Sequence, residues 1–288
     1  MKVFKTIFFL ALVFAYIIFL GREHLCAPCI YDCFLFYNEY DLLEMRLEEM
    51  YPVVDKFIIV EARETFRGNE KPLNFLDHQD RFQKFADKIT YIPVKEHFET
   101  DNPWLRERYQ RDQIMRGLKS CKKKDIVLIS DVDEIVRAEK MLEIVSSLVS
   151  KKLQAVVLEQ KMYFGHLNRF QGLWKGTIAT TYEHMTRLSP RIVRKMRHMK
   201  SKRLRTSSIS RICLIEDGGW HFSSIGGVDQ YLDKIRAFSH QELDTEEFTR
   251  AENLMKVLQS CPVVPIDSSF PVFLQSNLLY FKEIGFID

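Results

Sequence analysis

Short apolar runs alternate with amphipathic stretches along most of this chain. Residues 30–37, IYDCFLFY, are brief, aromatic and β-branched, which predicts a strand. Asn38 follows where a helix N-cap would stand. Leu42, Leu43, Leu47 and Met50 then recur at helical spacing, with Glu44, Arg46, Glu48 and Glu49 assigned to the opposite, solvated face. Residues 55–61 (DKFIIVE) and 89–94 (ITYIPV) read as two more strands, and residues 103–118 as a helix with Leu105, Ile114, Met115 and Leu118 inward. Further apolar runs at 126–129, 155–159 and 212–215 predict buried strands, and residues 228–242 an amphipathic helix with Tyr231, Leu232, Ile235 and Phe238 inward. Strand, helix, strand in this order predicts an α/β domain whose early strands pair in parallel.

Composition narrows the class. The 288 residues are 46% hydrophobic and undivided by repeats or a Pro/Gly-rich linker, which predicts one domain over residues 26–288. A net charge of +3 demands no nucleic-acid partner. The basic run at residues 191–205 lacks stacking aromatics and apolar periodicity, so it reads as a solvated loop. Residues 6–20, TIFFLALVFAYIIFL, carry no charge and follow Lys2 and Lys5. Residues 1–25 therefore read as a short tail plus an uncleaved signal anchor of a single-pass type II membrane protein, with a cleaved signal peptide as the rival reading. In a eukaryotic cell the domain would face the Golgi lumen. Six cysteines, at positions 26, 29, 33, 121, 213 and 261, would then sit in an oxidising compartment, with their pairing open.

Candidate chemistry centres on DIVLISDVDEI, residues 125–135. Asp131, Asp133 and Glu134 follow a buried strand at once, and negative charge concentrated there calls for a cation. Hard oxygen donors suit manganese or magnesium, which complete their shells with water and phosphate oxygens. A second candidate is EDGGWH, residues 216–221, where Glu216 and Asp217 end a strand and His221 follows a glycine pair. Arg108 and Arg111 are candidates for contact with a diphosphate or with neighbouring carboxylates, against the plainer reading of a solvated helix face. Asn38 and Glu61, at the carboxyl ends of the first two strands, are further donor-binding candidates. Tyr163 and Trp174 belong to an aromatic-rich segment that suits either core packing or sugar stacking.

Taken together, YDCFLFYNEYDLLEMRL, VVDKFIIVEARETFRGNEKPL, RERYQRDQI, SDVDEI and GGWHFSS resemble glycosyltransferase family 17, in the same order and over nearly the whole domain. Val136 departs from the proline usual after DEI in that family. The resemblance implies a GT-A type fold, a Rossmann-like mixed sheet flanked by helices. It also implies a UDP-sugar donor, UDP-GlcNAc above others, a glycan or glycoprotein acceptor with N-glycan mannose foremost, a manganese ion and inversion at the anomeric carbon. Asp131 and Asp133 match the metal-binding DxD element, and His221 is the match for a late metal-ligating histidine. Glu216 or Asp217 is the expected general base, with Glu134 behind them. A membrane-anchored carbohydrate-binding protein that has lost transfer is the alternative, and a metal-dependent phosphohydrolase fits less well because it would need more His and Asp ligands.

Overall fold

The computed structural model describes residues 27–151, 153–198, 212–239, 245 and 249–288. The expected membrane segment, Cys26 and the distal half of the basic run lie outside them. No helix among the described residues is long and apolar enough to cross a membrane.

The domain is a mixed α/β fold built on one sheet. Four parallel strands lead it: β1 (Ile30–Leu35), β2 (Lys56–Ala62), β3 (Ile89–Val94) and β4 (Ile126–Asp131), ordered β3-β2-β1-β4. The sheet continues with β5 (Glu134–Val136), β6 (Ala155–Phe164), β7 (Phe170–Thr181), β8 (Ile212–Ile215) and β9 (Gly219–Ser223). Beyond β4 the order is β7-β6-β9-β5, with β8 also pairing with β6. There β7 runs antiparallel to β4 and β6, whereas β8 and β9 run parallel to β6.

Alternation along the strands explains the two cores. Phe34, Phe57, Ile59, Ile126 and Leu128 point to one face, against Leu43, Leu47 and Met50 of the helix Tyr40–Met50. Cys33, Ile58, Val60, Val127 and Ile129 point to the other, against Ile114, Leu118, Met185 and Val193. A third cluster joins Trp220 and Phe222 of β9 to Phe270, Leu274 and Phe281 near the end of the chain.

Local details depart from the expected pattern. Glu39, not Asn38, stands at the N-cap of Tyr40–Met50, and Asn38 is exposed. The helix after Asn102 is capped by that side chain, which accepts from Trp104 N–H at 3.0 Å, and it runs Pro103–Asp112 before tightening into a 3-10 segment, Gln113–Gly117. The aromatic segment after residue 159 is the hairpin of β6 and β7. Arg46, expected in solvent, is fully buried. Its partner is the equally buried Asp32 of β1, whose carboxylate receives Arg46 Nε at 2.8 Å and Nη2 at 2.5 Å. A hydrophobicity pattern places arginine outside by default; a buried carboxylate one strand away reverses that.

Candidate active site

The carboxyl ends of β1 and β4 open into a cavity of about 670 Å³. Leu35, Phe36 and Tyr37 come from β1 and its exit, Asp131, Val132, Asp133 and Glu134 from the β4–β5 turn, and His221 and Ser223 from β9.

The turn is shaped by Arg46. Its Nη1 donates to the main-chain oxygens of Asp131 at 2.9 Å, Val132 at 3.3 Å and Glu134 at 3.0 Å, and its Nη2 reaches Ser130 Oγ at 2.6 Å. One buried guanidinium thus fixes the backbone that aims the carboxylates. Antiparallel pairing of β5 with β9 sets Glu134 opposite His221, and Phe222 N–H donates to the Asp133 oxygen at 2.9 Å. Gly219 permits the close approach: at φ 143° it lies against β5, and a Cβ there would fall 2.1 Å from the Ile135 oxygen.

The three acidic side chains meet different partners. Asp131 is held by Arg111 at 2.8 Å on one oxygen and Arg194 at 2.9 Å on the other. Glu134 Oε1 receives Arg194 at 2.6 Å, Arg197 at 3.0 Å and Trp174 Nε1 at 2.9 Å. Asp133 Oδ2 receives Lys234 Nζ at 2.6 Å and faces His221 Nε2 at 3.6 Å. Burial opposes the charge on all three, but Arg111 and Arg194 hold Asp131, Lys234 and His221 hold Asp133, and Arg194 holds Glu134 below the usual carboxylate range.

Two atoms stand out. Asp133 Oδ1 and His221 Nδ1 are buried without a hydrogen-bond partner. Among the described residues no three His, Cys, Asp or Glu side chains converge as a ready-made metal centre. A carboxylate and an imidazole with spare lone pairs nevertheless fit a divalent ion that takes its other donors from water and phosphate. Asp131, with both oxygens given to arginines, is occupied otherwise.

Other expected residues fall elsewhere. Glu216 and Asp217 do not line the cavity: they are exposed residues preceding β9, and Asp217 pairs with Arg137 at 3.2 Å. The expected base is therefore misplaced, because the turn lies before β9 and the cavity meets that strand at His221 and Ser223. Tyr163 is core, stacked on Phe222 with centroids 5.5 Å apart, and burial pushes its phenol up to about 12. Glu61 also stays outside the cavity, accepting from Lys71 at 2.7 Å, the Asn74 and Phe75 N–H groups at 2.7 and 3.0 Å, and Tyr91 at 2.9 Å. Arg108 and Asn38 do not line the cavity, whereas Trp174 does, its ring 5.1 Å from that of His221.

The sequence reading missed four residues. Arg194 and Arg197 belong to the basic run, and their i, i+3 spacing was the available signal of one helical face. Lys234 sits among apolar helix positions. Glu39 lines the cavity, with its Oε2 accepting from Asn38 N–H at 3.2 Å and its Oε1 4.0 Å from Lys234 Nζ. Burial raises its pKa, with Lys234 opposing.

Sequence comparison decides what kind of protein carries this cavity. The sequence model of glycosyltransferase family 17 matches residues 22–262. The chain belongs to glycosyltransferase family 17. This family 17 protein is accordingly a glycosyltransferase enzyme. It is 31% identical over 108 residues to the human beta-1,4-mannosyl-glycoprotein 4-beta-N-acetylglucosaminyltransferase, a match covering 34% of this chain and 20% of that protein. The rat and mouse proteins of that name match over the same length at 31% and 30% identity, so the match spans about a fifth of these curated relatives. Among solved structures, the crystal structure of 4-diphosphocytidyl-2C-methyl-D-erythritol synthase aligns with a TM-score of 0.36 and 12% identity, over 66% of this chain and 90% of that one.

Proposed function

We propose that this glycosyltransferase moves GlcNAc from UDP-GlcNAc to a hydroxyl of a glycan or glycoprotein acceptor, with inversion, in a GT-A type site that uses manganese or magnesium. The observation that carries the reading is the pair Asp133 and His221, each with a buried polar atom that has no hydrogen-bond partner, both lining a cavity at the carboxyl ends of parallel strands. The names of the curated relatives support the sugar and suggest a β-linked mannose of an N-glycan as acceptor. Residues 6–20 would hold the domain to a membrane, in the Golgi lumen of a eukaryotic cell.

The reaction is a single displacement. Asp133 and His221 would hold the metal ion, which would supply positive charge against the leaving diphosphate. Arg197 and Lys234, both lining the cavity, add positive charge to it. Among the described residues Glu39 is the most loosely paired cavity carboxylate, 4.0 Å from Lys234 Nζ, whereas Glu64 is held by His97 at 2.7 Å and by Arg106 at 3.4 Å. It takes the proton of the acceptor hydroxyl as that oxygen bonds to the anomeric carbon. The bond from that carbon to the diphosphate oxygen breaks, and UDP leaves with the electron pair. Trp174 offers an aromatic wall for a sugar ring.

The test is turnover by the full chain in detergent, with UDP-GlcNAc and other UDP-sugars, mannose-terminated and N-glycan acceptors, and manganese or chelator. Metal-dependent GlcNAc transfer giving a β-linked product supports the reading. Sugar binding without turnover of any donor, by folded protein, would favour the carbohydrate-binding alternative.

A further inference from the structure

Lys234 reaches Asp133 from a helix pinned at both ends. Gly226, at the start of Gly227–Ala237, donates to the Gly165 oxygen at 3.1 Å. At the other end the Ala237 oxygen accepts Phe66 N–H at 3.1 Å, and the Ile235 oxygen accepts Arg67 Nη2 at 3.0 Å. Between these anchors the ammonium lies 2.6 Å from Asp133 Oδ2 and 4.0 Å from Glu39 Oε1, with its side chain 23% exposed. The same carboxylate carries the unpartnered Oδ1, and its Oδ2 lies 3.6 Å from His221 Nε2. A divalent ion bound to Asp133 would therefore lie close to a fixed positive charge.

We infer that Lys234 is the resident counter-cation of Asp133 and competes with the divalent ion for it, so that metal binds well only together with the nucleotide diphosphate. This rests on the metal-dependent reading above. Without nucleotide, Lys234 neutralises Asp133 and repels a second cation. The diphosphate brings enough negative charge for both cations, and Lys234, at the cavity edge, turns from the carboxylate to the phosphates. By linkage, UDP must tighten metal binding by the same factor as metal tightens UDP binding. Lys234 is a positioning residue for the metal in this scheme.

The experiment is a manganese titration of the full chain by electron paramagnetic resonance of the free ion, with and without UDP. Wild type is expected to bind manganese weakly alone and about 10- to 100-fold more tightly with UDP, the usual size of such coupling. Lys234→Met is expected to bind manganese more tightly without UDP and to lose most of the coupling, while Lys234→Arg keeps the wild-type pattern. Near-ultraviolet circular dichroism checks that the helix stays docked, and Lys234→Gln carries the same test if the Met variant fails that check. Equal manganese affinity and coupling in wild type and the neutral variants would overturn the role of Lys234 and leave the metal site standing. Absence of manganese binding to wild type even with UDP would overturn the metal reading itself, and this inference with it.

Discussion

Arg46 donates to the main-chain oxygen of Asp131 at 2.9 Å while its other nitrogens close on the carboxylate of Asp32. A residue of the first described helix thereby sets the backbone of the candidate catalytic turn, 85 residues later in the chain. Removing it leaves Asp32 buried and unpaired and takes one donor from each of three carbonyls, of which that of Glu134 keeps Thr177 Oγ1 at 3.2 Å. Arg46→Met should lower stability by about 3–5 kcal/mol, the cost of breaking a buried pair, visible in urea unfolding. The double variant Asp32→Leu, Arg46→Met should recover part of that loss; no recovery would show that the carbonyl contacts, rather than the ion pair, hold the turn.

Asp133→Asn keeps the shape of the side chain and removes its charge. Transfer should fall at least about 100-fold, the scale seen when one electrostatic contributor is lost from an active site, with an unchanged circular dichroism spectrum. Near-normal transfer by folded Asp133→Asn would remove this carboxylate from the chemistry.

Glu39→Gln tests the base. The rate at saturating substrate should drop by about 100- to 10,000-fold, the range of general-base contributions, with little change in the KM for donor. Because burial raises the pKa of Glu39, the wild-type rate should fall on the acid side at a pH above the ordinary glutamate value, and the variant should lose that limb. A retained acid limb in the residual activity would assign the proton transfer to another group.

Acid should loosen the site. Asp131, Asp133 and Glu134 titrate below their ordinary values in the folded protein, chiefly because nearby arginines and Lys234 outweigh burial. Such groups stabilise the fold above the unfolded carboxylate pKa of about 4 and lose that contribution as pH falls through the lower folded values. Glu39 acts in the opposite sense, favouring the fold below its raised pKa. The melting temperature should hold from about pH 7 to pH 5 and decline from about pH 4 downward; a flat curve to pH 3 would mean that the network contributes no net stability.

Much of this was legible in the chain. The short apolar, β-branched and aromatic runs of β1, β2 and β4 announced the parallel sheet, and Asp131, Asp133 and His221 do come to one cavity. Arg46 and Lys234 were not legible, because helical periodicity measures apolar surface and is blind to a lone cation drawn inward by a distant carboxylate. Glu216 and Asp217 misled for a related reason: proximity in sequence to His221 says nothing about which end of β9 meets the cavity. Tyr163 and Trp174 came from one aromatic-rich segment, but only the strand register sends the first into the core and leaves the second beside His221.

The partners of the three carboxylates also divide by their place in the chain. Arg46, Arg111, Arg194 and Arg197, which serve the turn, Asp131 and Glu134, all precede His221 and Lys234, which serve Asp133. On the ribosome the chain emerges amino end first, so the arginine-held part of the turn has its counter-ions before the rest is made. Asp133 meets Lys234 only across 101 residues, so this partner is made well after the turn itself. The contact of Asp133 with a cation on a helix therefore comes late in synthesis, with the segment Gly227–Ala237.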